Sequence, residues 1–179
     1  MGYEVVISGT DVRMKIGSGD GVLVFHELVC CWTLEHLVKQ LKKTQKRMDK
    51  HVDKETDEFQ AIETKHETID KVLSMIASWL ERQYDGGVAR QERLHYDAIF
   101  HADRQPLIDI NVIGLYWFIY GPAKEYSCGQ ALDIALWLKK ILPFVPEEQE
   151  RGYDAEFVDR LRELFEDAAS EYRNVEISY

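Results

Sequence analysis

The sequence predicts an α+β, helix-rich fold: a small N-terminal β-meander, a long heptad-patterned helix or helical hairpin, at least one further strand and two C-terminal helices. Three observations predict it. Short runs of β-formers separated by glycine turns open the chain. No Gly or Pro then interrupts Val22 to Asp85, and two capped amphipathic segments follow residue 126.

Tyr3 to Ser8 and Val12 to Ile16 are rich in β-formers, with turn chemistry at Gly9-Thr10-Asp11 between them. Gly17-Ser18-Gly19-Asp20-Gly21 then turns into Val22 to Phe25, a third short strand. A glycine-rich turn has the look of a phosphate cradle. A phosphate cradle requires a strand before it and a helix after it, and no Lys-Ser/Thr pair closes this one, so a hairpin turn is the favoured reading.

Thr33 has the chemistry of an N-cap, with Trp32 and Leu37 at the positions of a hydrophobic staple. A 4-3 spacing then runs through Leu34, Val38, Leu41, Gln45, Met48, Val52, Glu55, Phe59, Ile62, His66, Ile69, Leu73, Ile76 and Leu80, and eleven of the fourteen are apolar. A seven-residue period sustained this long predicts a coiled-coil-like element over 33–85. Its unbroken phase favours one continuous helix pairing antiparallel with a copy of itself, giving an elongated homodimer. The alternative is an internal hairpin broken at Asp53-Lys54-Glu55-Thr56-Asp57, with Thr56 or Asp57 capping the second helix.

Charge does not decide between the two. Residues 36–54 carry a net +5 and residues 55–70 a net −5, within a chain of 179 residues and overall charge −10. Opposite signs on two consecutive segments suit antiparallel pairing, within one chain or between two. The acidic average disfavours a general coating of nucleic acid or of an anionic membrane.

Past Gly86-Gly87, residues 107–119 alternate as a strand, and Ser127-Cys128-Gly129-Gln130 has capping-box form and opens a helix that Pro143 ends. Asp154 caps a last helix with Phe157, Val158, Leu161, Leu164, Phe165, Ala168 and Ala169 on one face. Val175 to Tyr179 reads as a short strand or a frayed tail. The organisation expected is a meander over 1–32, a helical element over 33–85, and an α/β remainder over 88–179 that packs with 1–32.

Three cysteines, two of them adjacent, make a poor disulfide framework, and the first residues have no basic-then-apolar leader pattern. A cytoplasmic protein without a membrane span is expected. Cys30 and Cys31 read as small buried hydrophobes, whereas Cys128 stands at a helix start.

Candidate sites are few. His95, Asp97 and His101 are residue types that bind a divalent metal, and with it the chain would be a metal-dependent hydrolase. Tyr116, Trp117, Phe118 and Tyr120 form an aromatic strip without interleaved basic residues, which fits packing better than base stacking. Lys39, Lys43, Lys46, Lys50 and Lys54 recur at helical spacing as a basic interaction stripe, the one feature that would serve nucleic-acid binding. Glu156, Asp159, Glu163, Glu166 and Asp167 give the last helix an acidic surface for a basic partner. The reading these features favour is a non-catalytic interaction or regulatory protein of inhibitor, adaptor or immunity type. It needs no cofactor, and its partner is a second copy or another protein.

Overall fold

The computed structural model describes residues 2–84 and 125–178. In chain order these form β1 (Tyr3–Ile7), β2 (Arg13–Gly17), α1 (Gly19–Met48), α2 (Asp57–Tyr84), β3 (Glu125–Tyr126), α3 (Cys128–Ile141), a 3-10 turn (Leu142–Phe144), α4 (Ala155–Ser170) and β4 (Val175–Ser178). The fold is α+β. Two compact units divide it, one holding residues 2–32 and 125–178, the other residues 33–84.

The first unit is built on a four-stranded antiparallel sheet in the order β2-β1-β4-β3. Its first hairpin closes as the turn residues predict. Gly9 takes φ +75, Thr10 Oγ1 donates to the Ile7 carbonyl at 2.9 Å, and the same oxygen accepts from Val12 N–H at 3.1 Å. Val5, Ile7, Met14 and Ile16 are buried while Arg13 and Lys15 face out, the period-2 pattern of a strand covered on one side. β4 is no frayed tail. It pairs with β1 on one side and β3 on the other, because Val175 is fully buried and its strand is the one that links the chain's two ends.

Two sequence expectations fail at the start of α1. The Val22–Phe25 segment is helix, not a third strand, and Thr33 lies inside α1 instead of capping it. Phe25, Val29 and Trp32 are all buried at i, i+4, i+7, a helical period that outweighs the β-propensity of four residues. Ser18 takes the cap role, its Oγ accepting from Gly21 N–H at 3.4 Å. The same helix separates the adjacent thiols by about 100°. Cys30 is therefore buried and Cys31 exposed, against the expectation that both are inside.

α3 and α4 pack on one another, α3 also meeting β3 and α4 meeting β2. The capping box of α3 is complete: Ser127 Oγ accepts from Gln130 N–H, and Gln130 Oε1 accepts from Ser127 N–H at 2.9 Å. Asp154 Oδ1 accepts from Phe157 N–H at 2.9 Å and starts α4, whose Val158, Leu161, Leu164, Phe165 and Ala168 are buried. Phe25 reaches this layer, 5.0 Å from the Tyr153 ring and 5.4 Å from the Phe157 ring.

The second unit corrects the continuous helix. α1 stops at Met48, and residues 49–56 turn the chain into α2. Asp53 Oδ1 accepts from Glu55 N–H at 2.9 Å, and Thr56 Oγ1 accepts from Phe59 N–H at 3.2 Å, so Thr56 is the N-cap of α2. Cross-helix contacts join residue 44 to 66, 47 to 58, and 51 to both 58 and 59. As one number falls the other rises, so the two helices run antiparallel.

Phase explains why the spacing misled. In α2 the 4-3 positions Phe59, Ile62, Ile69 and Ile76 are buried as expected. In the part of α1 within this unit the buried positions are Thr33, Leu37 and Thr44, whereas Val38 is 38% exposed and Gln45 is exposed, as is Val52 in the turn. The buried row of α1 thus lies about 80° around the helix from the one the spacing marks. Two helices meeting through a turn need not share phase, and an unbroken register across the turn is coincidental.

Two tests follow from these contacts. Thr33 Oγ1 is buried with no hydrogen-bond partner among the described residues. Replacing it with the isosteric Val leaves stability unchanged or raises it by up to about 1 kcal/mol, whereas Ser127→Ala, which removes a cap, lowers it by about 1 kcal/mol; urea unfolding of both variants measures the contrast. Burial beside Phe165 pushes the Tyr126 hydroxyl up to about 12 from 10.0. The unfolded chain releases that proton first, so this contribution is complete below pH 10 and is lost as pH rises to 12. It amounts to about 3 kcal/mol, and Tyr126→Phe flattens that part of the stability profile.

Candidate interaction surfaces

The hairpin and the last helix carry the charge patterns singled out in the sequence, one in each unit. On α1, Lys39, Lys43 and Lys46 are exposed along the helix. Lys50 and Lys54 are exposed too, but they follow the end of α1, in the turn and the loop. The helical stripe is therefore shorter than the spacing predicts, because the helix that was to carry it ends at Met48.

Charge is also placed where the helix dipoles favour it. Lys46 and Arg47 stand in the last turn of α1 and Asp57 and Glu58 in the first turn of α2, each opposite in sign to the adjacent helix end. Across the turn, Glu58 faces Arg47 and His51, both at 3.8 Å. Those contacts are long and exposed, and pairs of this kind contribute at most about 1 kcal/mol. Lys42, Lys43, Lys46 and Lys50 make no ion pair among the described residues.

Deeper in the hairpin sits one polar link. Thr44 Oγ1 lies 2.9 Å from the Leu41 carbonyl and 2.8 Å from His66 Nδ1. The hydroxyl has one proton for a carbonyl or for Nδ1, so the direction of the Thr44–His66 bond follows the imidazole tautomer. His66 is one of the three polar residues in the 4-3 row, and Thr44 gives it a hydrogen-bond partner there. Beside this link Leu41, Lys42, Gln45, Lys46, Asp49 and His66 line a groove of about 360 Å³. Lys42 belongs to this groove, although the stripe as read from spacing passes it by.

The acidic surface of α4 is partly neutralised from within. Arg162 bonds Asp159 Oδ1 through Nε at 2.6 Å, Glu163 at 3.3 Å, and Glu166 through its other terminal nitrogen. The Asp159 bond, with the charges of Glu166 and Glu163 behind it, holds the guanidinium above its usual range. Glu156 and Asp167 are exposed outside this cluster. The i−3, i+1 and i+4 spacing around Arg162 was visible in the sequence as a signal of self-pairing.

The glycine-rich segment does lie between a strand and a helix, contrary to the expectation of a hairpin turn. Its glycines have a packing reason. A Cβ on Gly17 or on Gly21 would stand 2.7 Å from Tyr153 Oη, which donates to the Ile16 carbonyl at 3.0 Å in the buried interior. The turn is thus shaped around a tyrosine hydroxyl. His95, Asp97 and His101, like the aromatic strip at 116–120, lie outside the described residues. Among the described residues no group of three or more His, Cys, Asp or Glu could hold a metal ion. No helix among them is long and apolar enough to cross a membrane.

No protein-family model, curated protein or solved structure matches the chain. Gly21→Ala separates the two readings of the glycine turn. Packing around Tyr153 predicts a loss of about 1–3 kcal/mol, reduced in a Tyr153→Phe background where the obstructing oxygen is gone; chemical denaturation of the double-mutant cycle measures it. Inorganic phosphate leaves the melting temperature of the wild type unchanged.

Proposed function

We propose that this is a non-catalytic interaction protein of regulatory type, which binds a protein partner through the charge-segregated surface of its helical hairpin. The observation that carries the reading is that Lys42, Lys43 and Lys46 of α1 and Glu63, Glu67 and Asp70 of α2 are exposed on one hairpin, and among the described residues no ion pair joins them. Unspent charge of both signs on adjacent helices orients and selects a partner more than it stabilises a fold. A protein surface offers both signs in return. A nucleic-acid backbone offers one, and Glu63, Glu67 and Asp70 on the neighbouring helix repel it. The acidic side of α4 is a second surface, suited to a basic protein.

The test is capture from the native host with the wild type and with a Lys39, Lys43, Lys46 and Lys50 quadruple alanine variant, each with and without nuclease. The wild type retains a protein that survives nuclease, and the variant retains roughly tenfold less of it. Retention that is equal in the variant overturns the hairpin as the binding surface. Lysine-dependent binding of DNA or RNA at low salt replaces it with nucleic-acid recognition.

A further inference from the structure

α1 carries more apolar surface than α2 covers. Its Leu37 and Thr44 are buried, and about 80° to one side a second row, Leu34, Val38, Leu41 and Gln45, is half-buried or exposed. An apolar arc this wide fits a helix with two neighbours on its flank better than a helix with one. The groove of about 360 Å³ lies along this row, where Leu41 and Gln45 meet His66 of α2.

Charge specifies what fills it. Lys42 and Lys46 stand on the α1 side of the groove, and Glu63 and Glu67 flank His66 on the exposed side of α2. The Thr44–His66 bond sets the level, which brings residue 46 beside position 64 and residue 42 beside position 68 along the hairpin axis. A two-fold axis parallel to the helices lays α1 of one chain over α2 of another at the same level. Lys46 then faces the partner's Glu63, and Lys42 the partner's Glu67. A two-fold axis across the helices instead lays α1 on α1 and sets lysine against lysine.

Resting on the reading of the hairpin as an interaction surface, the geometry points to a second copy of this chain as the occupant of the groove. Two hairpins pack face to face in a four-helix arrangement, with the Val38–Leu41–Gln45 row inside and the Lys42, Lys46, Glu63 and Glu67 side chains along the rims. This is an isologous interface, in which each chain presents the same two rims and receives the same two. It also keeps the antiparallel self-pairing that the charge pattern suggests, without the continuous helix.

Sedimentation of the full chain over a range of concentration and salt tests it. The wild type dimerises, more weakly as salt rises. K42E/K46E and E63K/E67K each weaken the dimer by roughly tenfold or more, and an equimolar mixture of the two restores it as a heterodimer. Circular dichroism confirms retained helix, and Val38→Glu, at a position exposed within the hairpin, gives a second disruption should either reversal unfold the chain. A wild-type monomer at every concentration overturns the inference, as does a dimer indifferent to these substitutions or a mixture that stays monomeric. A monomer that still captures a lysine-dependent protein from the host leaves the proposed function standing with a different occupant.

Discussion

The turn at residues 49–56 is the constraint on which the second unit depends. Asp53 and Thr56 spend their side chains on backbone amides that a continuing helix would have bonded to its own carbonyls. Once α1 ends there, Phe59, Ile62 and Ile69 of α2 can be buried in the same unit as Leu37 and Thr44 of α1. The choice between one long helix and two short ones is a choice between leaving that apolar surface for another chain and burying part of it at once. Burial wins because each large apolar side chain removed from water contributes about 1.5–3 kcal/mol, more than a few cap bonds cost or return.

That choice also determines what the charges do. On a straight helix the basic and acidic segments would be separated along an axis. On a hairpin they lie side by side, with Arg47 and His51 reaching Glu58 near the turn and Lys42, Lys43 and Lys46 exposed. The charge pattern is then a property of one face: an apolar row with a basic rim on one helix and an acidic rim on the next. A buried hydroxyl and an imidazole, Thr44 and His66, fix how far along the axis each charge stands.

In the first unit the equivalent role belongs to β4. The strand joins β1, from the start of the chain, to β3, which precedes α3, and so closes the sheet over the layer of α3 and α4. Tyr153 ties that layer to the sheet by its bond to the Ile16 carbonyl, and Gly17 and Gly21 have no side chain because the tyrosine oxygen occupies the place of one. A glycine pattern that resembles a ligand cradle is here the imprint of packing.

Local chemistry was legible from the residues alone. The Gly9 turn, the Ser127 capping box, the Asp154 cap, the apolar face of α4 and the Thr56 cap each rest on neighbours within four residues, where side-chain type and spacing decide the outcome, and the opposite charges of the two hairpin segments are a matter of composition. The Val22–Phe25 segment is helix because burial at the Phe25, Val29, Trp32 period outweighs the β-propensity of four residues. Which row of α1 is buried, which cysteine faces out, and whether the heptads form one helix or two depended on contacts between residues far apart in sequence. A periodic pattern states that a helix has an apolar side; only the partner that arrives determines which part of that side is covered.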